Sequence, residues 1–190
     1  MSIIYPNPLP FRLRVLTALT TALKGITPAN GYQFNLADFD PGDGYPKARV
    51  YRGRAWYGED DPIPMLSLLE ADIGEEVSNP PHGVAAGRYE WALMVQGFVD
   101  DDPANPTDPA YILAADVVKR LAVETVRKLT PADPASDSDI LGIGLRGTNK
   151  LTGLRVGSPV VRPADDVSAK AYFGLLVTLT TVEVGGAPYN

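Results

Sequence analysis

The 190-residue chain contains no cysteine and one histidine, His82. Without thiols there can be no disulfide, thiolate metal ligand or cysteine nucleophile, and one imidazole is too few for a histidine-rich metal site. Basic charge is scarce as well: 17 Lys and Arg stand against 23 Asp and Glu, a net charge of −6, which argues against a sequence-reading nucleic-acid protein. No apolar run approaches the ~20 residues of a spanning helix. Residues 1–10 have neither the basic flank nor the apolar stretch of a secretion signal, so a soluble chain with no membrane partner is expected. What is abundant is Gly and Pro, 18 of each, about 19% of the chain against a usual share of roughly 12%. With 45% hydrophobic residues, the chain can nevertheless bury a core, and its length suits one domain spanning 1–190.

Proline fixes φ and removes a donor, so Pro-free windows mark where regular elements can run. Over 11–26, Phe11, Val15, Ala18, Leu19, Ala22, Leu23 and Ile26 fall on one side at 100° per residue, with Thr20 and Thr21 among the residues opposite, which predicts an amphipathic helix. The β-branched and aromatic content of 47–57 predicts a strand, 65–71 a second and 88–99 a third. In the third, Tyr89, Trp91, Leu93, Val95 and Val99 make an apolar face, while Glu90, Ala92, Met94, Gln96 and Phe98 make a mixed one. Short hairpin-scale links are expected among these strands.

Thr107-Asp108-Pro109 places a cap residue before a proline and predicts a second helix over 110–129. Its expected core face is Ala114, Val118, Leu121, Ala122, Thr125 and Leu129. Asp116 with Arg120 and Glu124 with Lys128 form i,i+4 pairs on the outer face, where Ile112, Leu113, Val117 and Val123 also project. Residues 130–139 read as a linker, and the Gly-rich 140–161 leaves strand and ordered loop both open. A last strand covers 171–184, followed by a mobile tail over 185–190. Two helices, each needing a partner for its apolar stripe, predict an α+β fold, a mostly antiparallel sheet with both helices packed on one face and long loops, above all over 131–166.

The chemical motifs are weak. Gly142, Gly144 and Gly147 match the G-x-G-x-x-G spacing, and Asp165 or Asp166 lies where a dinucleotide fold puts its ribose acid, but no strand precedes them and no helix follows. Thr148 stands where a phosphate-binding loop needs lysine. Asp38, Asp40 and Asp43, and Asp100, Asp101 and Asp102, lack the bidentate acid of a calcium loop, so both clusters read as solvated turns. Glu59-Asp60-Asp61 and Glu75-Glu76 read as surface charge, because nothing brings a carboxylate pair into an apolar pocket. His82 lies on a turn with no serine elbow or second histidine. No catalytic residue, metal or cofactor is therefore expected. Arg49, Arg52 and Arg54 with Tyr51, Trp56 and Tyr57 mix basic and aromatic character as nucleic-acid surfaces do, but pairing with acids of a neighbouring strand or subunit fits better.

Across 10–130 the chain resembles the tail terminator and tail-completion proteins of long-tailed bacteriophages. The likeness rests on the first helix, Val50-Tyr-Arg-Gly-Arg54, the run from Tyr57 through Asp60-Asp61-Pro62 to Ala71, the run Trp91-Ala-Leu-Met-Val-Gln-Gly-Phe-Val-Asp100, and Asn105-Pro-Thr-Asp-Pro-Ala-Tyr111 leading into the second helix. The long stretch 133–166 departs from so compact a subunit and keeps open a different neck or connector component. A nucleotide-binding or hydrolytic enzyme is the further alternative. The resemblance implies a non-enzymatic virion protein, assembled in the host cytoplasm, that closes a six-fold ring at the head–tail junction. Its partners would be its own copies, the tail tube protein and a head-side connector protein, with DNA passing through the lumen without sequence-specific binding. On this reading Leu113, Val117, Val123, Arg49, Arg52 and Arg54 contribute to the subunit interface. Loops carrying Glu59, Asp60, Asp61, Asp133 and Asp137 dock on the tube or head.

Overall fold

A computed structural model describes residues 7–42, 44–55, 57–58, 61–71, 86–127, 140–143, 147–165 and 168–189. Helix α1 covers Phe11–Lys24, strand β1 Val50–Arg52, β2 Met65–Glu70, β3 Ala86–Val99, helix α2 Asp108–Arg127, β4 Lys150–Val156, β5 Val160–Arg162 and β6 Ala171–Val184. The strands form one open sheet in the order β1-β2-β3-β6-β4, with β5 also paired to β6. All pairings are antiparallel except β1 with β2. This is an α+β fold, a mostly antiparallel sheet with both helices on one face.

The period of two along β3 explains which face that is. Trp91, Leu93, Val95 and Val99 are buried together with Phe173, Leu175, Val177 and Leu179 of β6, Leu66 and Leu68 of β2, and Leu151 and Leu154 of β4. Against them lie Phe11, Val15, Leu19 and Leu23 of α1 and Ala110, Leu113, Ala114, Val117 and Leu121 of α2. Burying one such side chain stabilises by about 1.5–3 kcal/mol, so this single apolar layer holds the two faces together. Gly97 is needed where the sheet is tightest: a Cβ there would stand 2.1 Å from the Phe173 ring.

The first helix buries the expected residues, except that Ala18 is only half-buried and Thr20 is buried. Thr20 tolerates burial because its hydroxyl donates to the Leu16 carbonyl at 2.7 Å. The undecided stretch 140–161 supplies β4 and the start of β5. The strand expected over 47–57 shrinks to β1, since Gly53 takes φ +71° and leaves extended backbone. β1 then runs parallel to β2, so no hairpin joins them. The described part of the connection instead lies on the sheet face away from the helices, where Tyr57 packs on Phe98 with ring centroids 5.1 Å apart and the Ser67 hydroxyl donates to the Arg54 carbonyl.

The second helix is turned relative to the expected one. Its buried stripe is Ala110, Leu113, Ala114, Val117 and Leu121, with Asp116 and Glu124 buried beside it, whereas Ala122 is exposed. The acids turn inward because they answer buried backbone donors. Asp116 accepts from the N–H groups of Gln33 and Phe34 at 2.8 and 3.0 Å, and Glu124 accepts from Leu141 N–H at 2.9 Å. Arg120 therefore pairs with Glu124 at 2.8 Å and not with Asp116; Lys128 lies outside the described residues. Asp116→Ala should cost about 1–3 kcal/mol by stranding two donors, measured by urea unfolding.

The segment 185–189 is also held, contrary to the expected mobility. Asn149 Nδ2 donates to the Ala187 carbonyl at 2.6 Å, and Phe11 N–H donates to the Pro188 carbonyl at 2.8 Å. The C-terminal turn thus satisfies a backbone donor that every helix start leaves open.

Candidate assembly surface

On α2, the residues left outside the core stripe define the surface. Tyr111, Ile112 and Val123 are 57%, 44% and 44% exposed, and Ala115 and Ala122 between them are exposed too. Lys119 sits among these positions but folds back, donating to the Gly31 carbonyl at 2.7 Å and lying 4.8 Å from the centre of the Tyr32 ring. What remains is a strip of exposed small and apolar residues about 18 Å long at 1.5 Å per residue, with the exposed Lys119 within it. Scattered surface hydrophobes are ordinary; five small or apolar residues on one helix face are a contiguous patch.

Of the interface residues expected on this helix, Val123 lies on the strip. Leu113 and Val117 do not: both are 0% exposed and belong to the core. They share the spacing i, i+3, i+4, i+7 with Ala110, Ala114 and Leu121, which is the stripe the sheet requires.

The three arginines are engaged within the subunit. Arg49 donates to the Pro64 carbonyl at 3.1 Å and stacks over Phe39 at 4.6 Å; burial pulls its guanidinium below the ordinary value. Arg52 donates to the Thr17 hydroxyl at 2.7 Å, tying β1 to α1. Arg54 pairs with Asp61 at 2.6 Å and lies over Tyr51 at 4.5 Å. Burial pushes the Tyr51 phenol up, and the Asp61 charge adds to the shift. These contacts tie Pro64 and Asp61 to Arg49 and Arg54, so the arginines act first as internal fasteners. Asp61 also accepts from Gly58 N–H at 2.6 Å and is held against the sheet instead of projecting from a free loop. Glu59, Asp60, Asp133 and Asp137 lie outside the described residues, as does His82.

The acidic clusters organise turns. Asp40 accepts from Gly42 N–H and Asp102 from Ala104 and Asn105 N–H, all at 2.7–2.8 Å. Asp38 pairs with Lys24 at 2.6 Å. Among the described residues no group of three His, Cys, Asp or Glu is placed to hold a metal ion. Gly142, with φ +69°, closes the tight turn bridging Ile140 and Ile143, and strand β4 rather than a helix follows Gly147. The glycine spacing therefore lacks the helix that would receive a pyrophosphate.

Two cavities are formed by described residues. One of about 340 Å³ is lined by Phe11, Arg12, Tyr89, Asn149 and Glu183, with Arg12 and Glu183 paired at 3.1 Å. The other, about 270 Å³, is lined by Arg88, Glu90, Thr152, Arg155 and Thr180. Glu90 there is held by Arg155 and by the Thr180 hydroxyl. In the first, Arg12 and Glu183 neutralise one another; in the second, Arg155 and Glu90 do, with Arg88 beside them.

No helix among the described residues is long and apolar enough to cross a membrane. No protein-family model matches the chain, and no curated protein matches it in sequence. Fold and surface together define the class: a two-layer α+β protein whose second helix presents exposed apolar residues outward.

Proposed function

We propose that this chain is a structural subunit of a bacteriophage tail, a tail terminator that closes a ring on the last tube ring, ends polymerisation and offers the head-side joining surface. The observation that carries the reading is the strip of Tyr111, Ile112, Ala115, Ala122 and Val123 on α2, in a chain whose segments resemble that family. A ring closes through heterologous contacts, one patch meeting a different patch on the next copy. A helix face of mostly small and apolar residues, whose one cation Lys119 is tied to the Gly31 carbonyl, suits such a contact, where charge is depleted. The work of the protein is then geometric, and its partners are its own copies, the tube and the head-side connector.

The test is assembly of the intact chain, followed by light-scattering mass and negative-stain imaging with and without tail tubes. Wild type is expected to form closed rings that cap tubes. Ile112→Glu/Val123→Glu is expected to remain folded by circular dichroism and to lose the ring. A wild-type chain that stays monomeric with tubes present overturns the reading.

A further inference from the structure

We propose that Asn30 is a site of spontaneous covalent modification, losing its side-chain amide to attack by the Gly31 nitrogen, and that the clasp of Lys119 on Gly31 controls the rate. The site lies just past the end of α1 and is independent of the ring reading.

Asn30 is the only asparagine of the chain followed by glycine. Asn7, Asn79 and Asn105 precede prolines, whose nitrogen has no hydrogen to give up. Asn35 and Asn149 precede leucine and lysine, whose side chains hinder the approach, and Asn149 is buried as well. Asn30 and Gly31 are both exposed, and nothing stands near the position a Cβ on Gly31 would take. The reaction needs only these two residues and water. The Gly31 nitrogen bonds to Asn30 Cγ, the Cγ–Nδ2 bond breaks, and the amide proton leaves with Nδ2 as ammonia. Water then opens the cyclic imide at either carbonyl, giving an aspartyl or an isoaspartyl residue.

The folded turn restrains both reactants. Pro28–Asn30 is a single 3-10 turn, which sets ψ at about −20 to −30°, and closing the imide ring requires Asn30 ψ to swing well away from that. Asn30 Nδ2 donates to the Gly25 carbonyl at 2.8 Å, and Gly31 N–H donates to the Pro28 carbonyl at 3.0 Å. From α2, Lys119 Nζ donates to the Gly31 carbonyl at 2.7 Å. Reaction therefore proceeds from an opened turn. The opening is local, because Pro28, Ala29, Asn30 and Gly31 are all exposed and such segments open at a small fraction of the global cost.

The product weakens the same joint. A carboxylate in place of the amide cannot donate to the Gly25 carbonyl, and it sets negative charge at the C-terminal end of α1, where the helix dipole disfavours it. The isoaspartyl form also adds a methylene to the main chain ahead of Gly31, which shifts the Gly31 carbonyl off Lys119. One modification thus loosens the tie between the end of α1 and α2.

The test holds the intact chain at mildly alkaline pH, with and without urea, and follows each asparagine by peptide mapping that separates aspartyl from isoaspartyl products. Wild type, Asn30→Gln and Lys119→Met are compared, each checked for folding by circular dichroism. Among the asparagines of folded wild type, Asn30 is expected to react first, more slowly than in urea and with isoaspartyl product. Folded Lys119→Met should react about threefold to tenfold faster, the factor that the net worth of one hydrogen bond gives, and Asn30→Gln should abolish the product. A folded wild type whose Asn30 stays intact while the chain in urea reacts overturns the proposal, as does reaction that begins at another asparagine. Equal rates in folded wild type and folded Lys119→Met overturn the role given to the clasp.

Discussion

Arg120→Ala should lower stability by about 1–3 kcal/mol, the range for removing the hydrogen-bond partner of buried polar groups. Arg120 joins the two helices: its Nε donates to the Ala22 carbonyl at the end of α1 at 2.9 Å, and Nη1 donates to Glu124 Oε1 on α2 at 2.8 Å. The other Glu124 oxygen accepts from Leu141 N–H. Since the Glu124 side chain is only 2% exposed, water cannot replace the guanidinium. Adding Glu124→Gln should recover part of the loss, because the amide oxygen still serves Leu141 while the buried charge is gone. Urea unfolding of both variants measures the difference. A loss below about 1 kcal/mol, the worth of an exposed pair, would mean that the pair is solvated.

Leu113→Ala should cost about 2–5 kcal/mol, as large-to-small changes in a closed core do, whereas Val123→Ala should stay within about 0.5 kcal/mol. The two positions lie on the same helix ten residues apart, and from sequence both were expected outside. Their opposite fates follow from the orientation of α2, so thermal unfolding of the pair measures that orientation directly. Equal effects would contradict it. The assembly readout should invert the ranking: Val123 changes act on association, Leu113 changes on folding.

The error in the helix face has a definite physical source. A hydrophobic stripe was sought as though every acid faced water, and Asp116 and Glu124 were set outside with Arg120. Both are buried, because the turns at Gln33–Phe34 and Leu141 present backbone donors that need acceptors, and unpaired buried N–H groups are expensive. Those turns are far away in sequence, so no local periodicity reveals the demand. By contrast β3 and β6 were legible, since alternation by two is written into Trp91, Leu93 and Val95 and into Phe173, Leu175 and Val177. β1 was overread because Gly53 ends it through a positive φ that composition does not display. The strip on α2 was half legible: Ile112 and Val123 were seen, while Tyr111, Ala115 and Ala122 emerged only once the core side was known. The even positions of β3 read as a mixed face, but the partner of Glu90 there, Arg155, lies 65 residues away.

The arginines show the same separation. Arg52 and Arg54 were expected to seek acids on a neighbouring strand or subunit; Arg54 finds Asp61 within its own chain and Arg52 finds the hydroxyl of Thr17. Such fasteners explain how a chain so rich in Gly and Pro keeps its connections in place: Arg54 is held by Asp61, Tyr57 by Phe98, and the C-terminal turn by Asn149.

The most direct test of the central claim is negative-stain imaging of purified tail tubes mixed with wild type and with Ile112→Glu/Val123→Glu. The account predicts closed rings seated on tube ends for wild type and bare ends for the folded variant. Tubes left bare by wild type, or capped equally well by the variant, would contradict it.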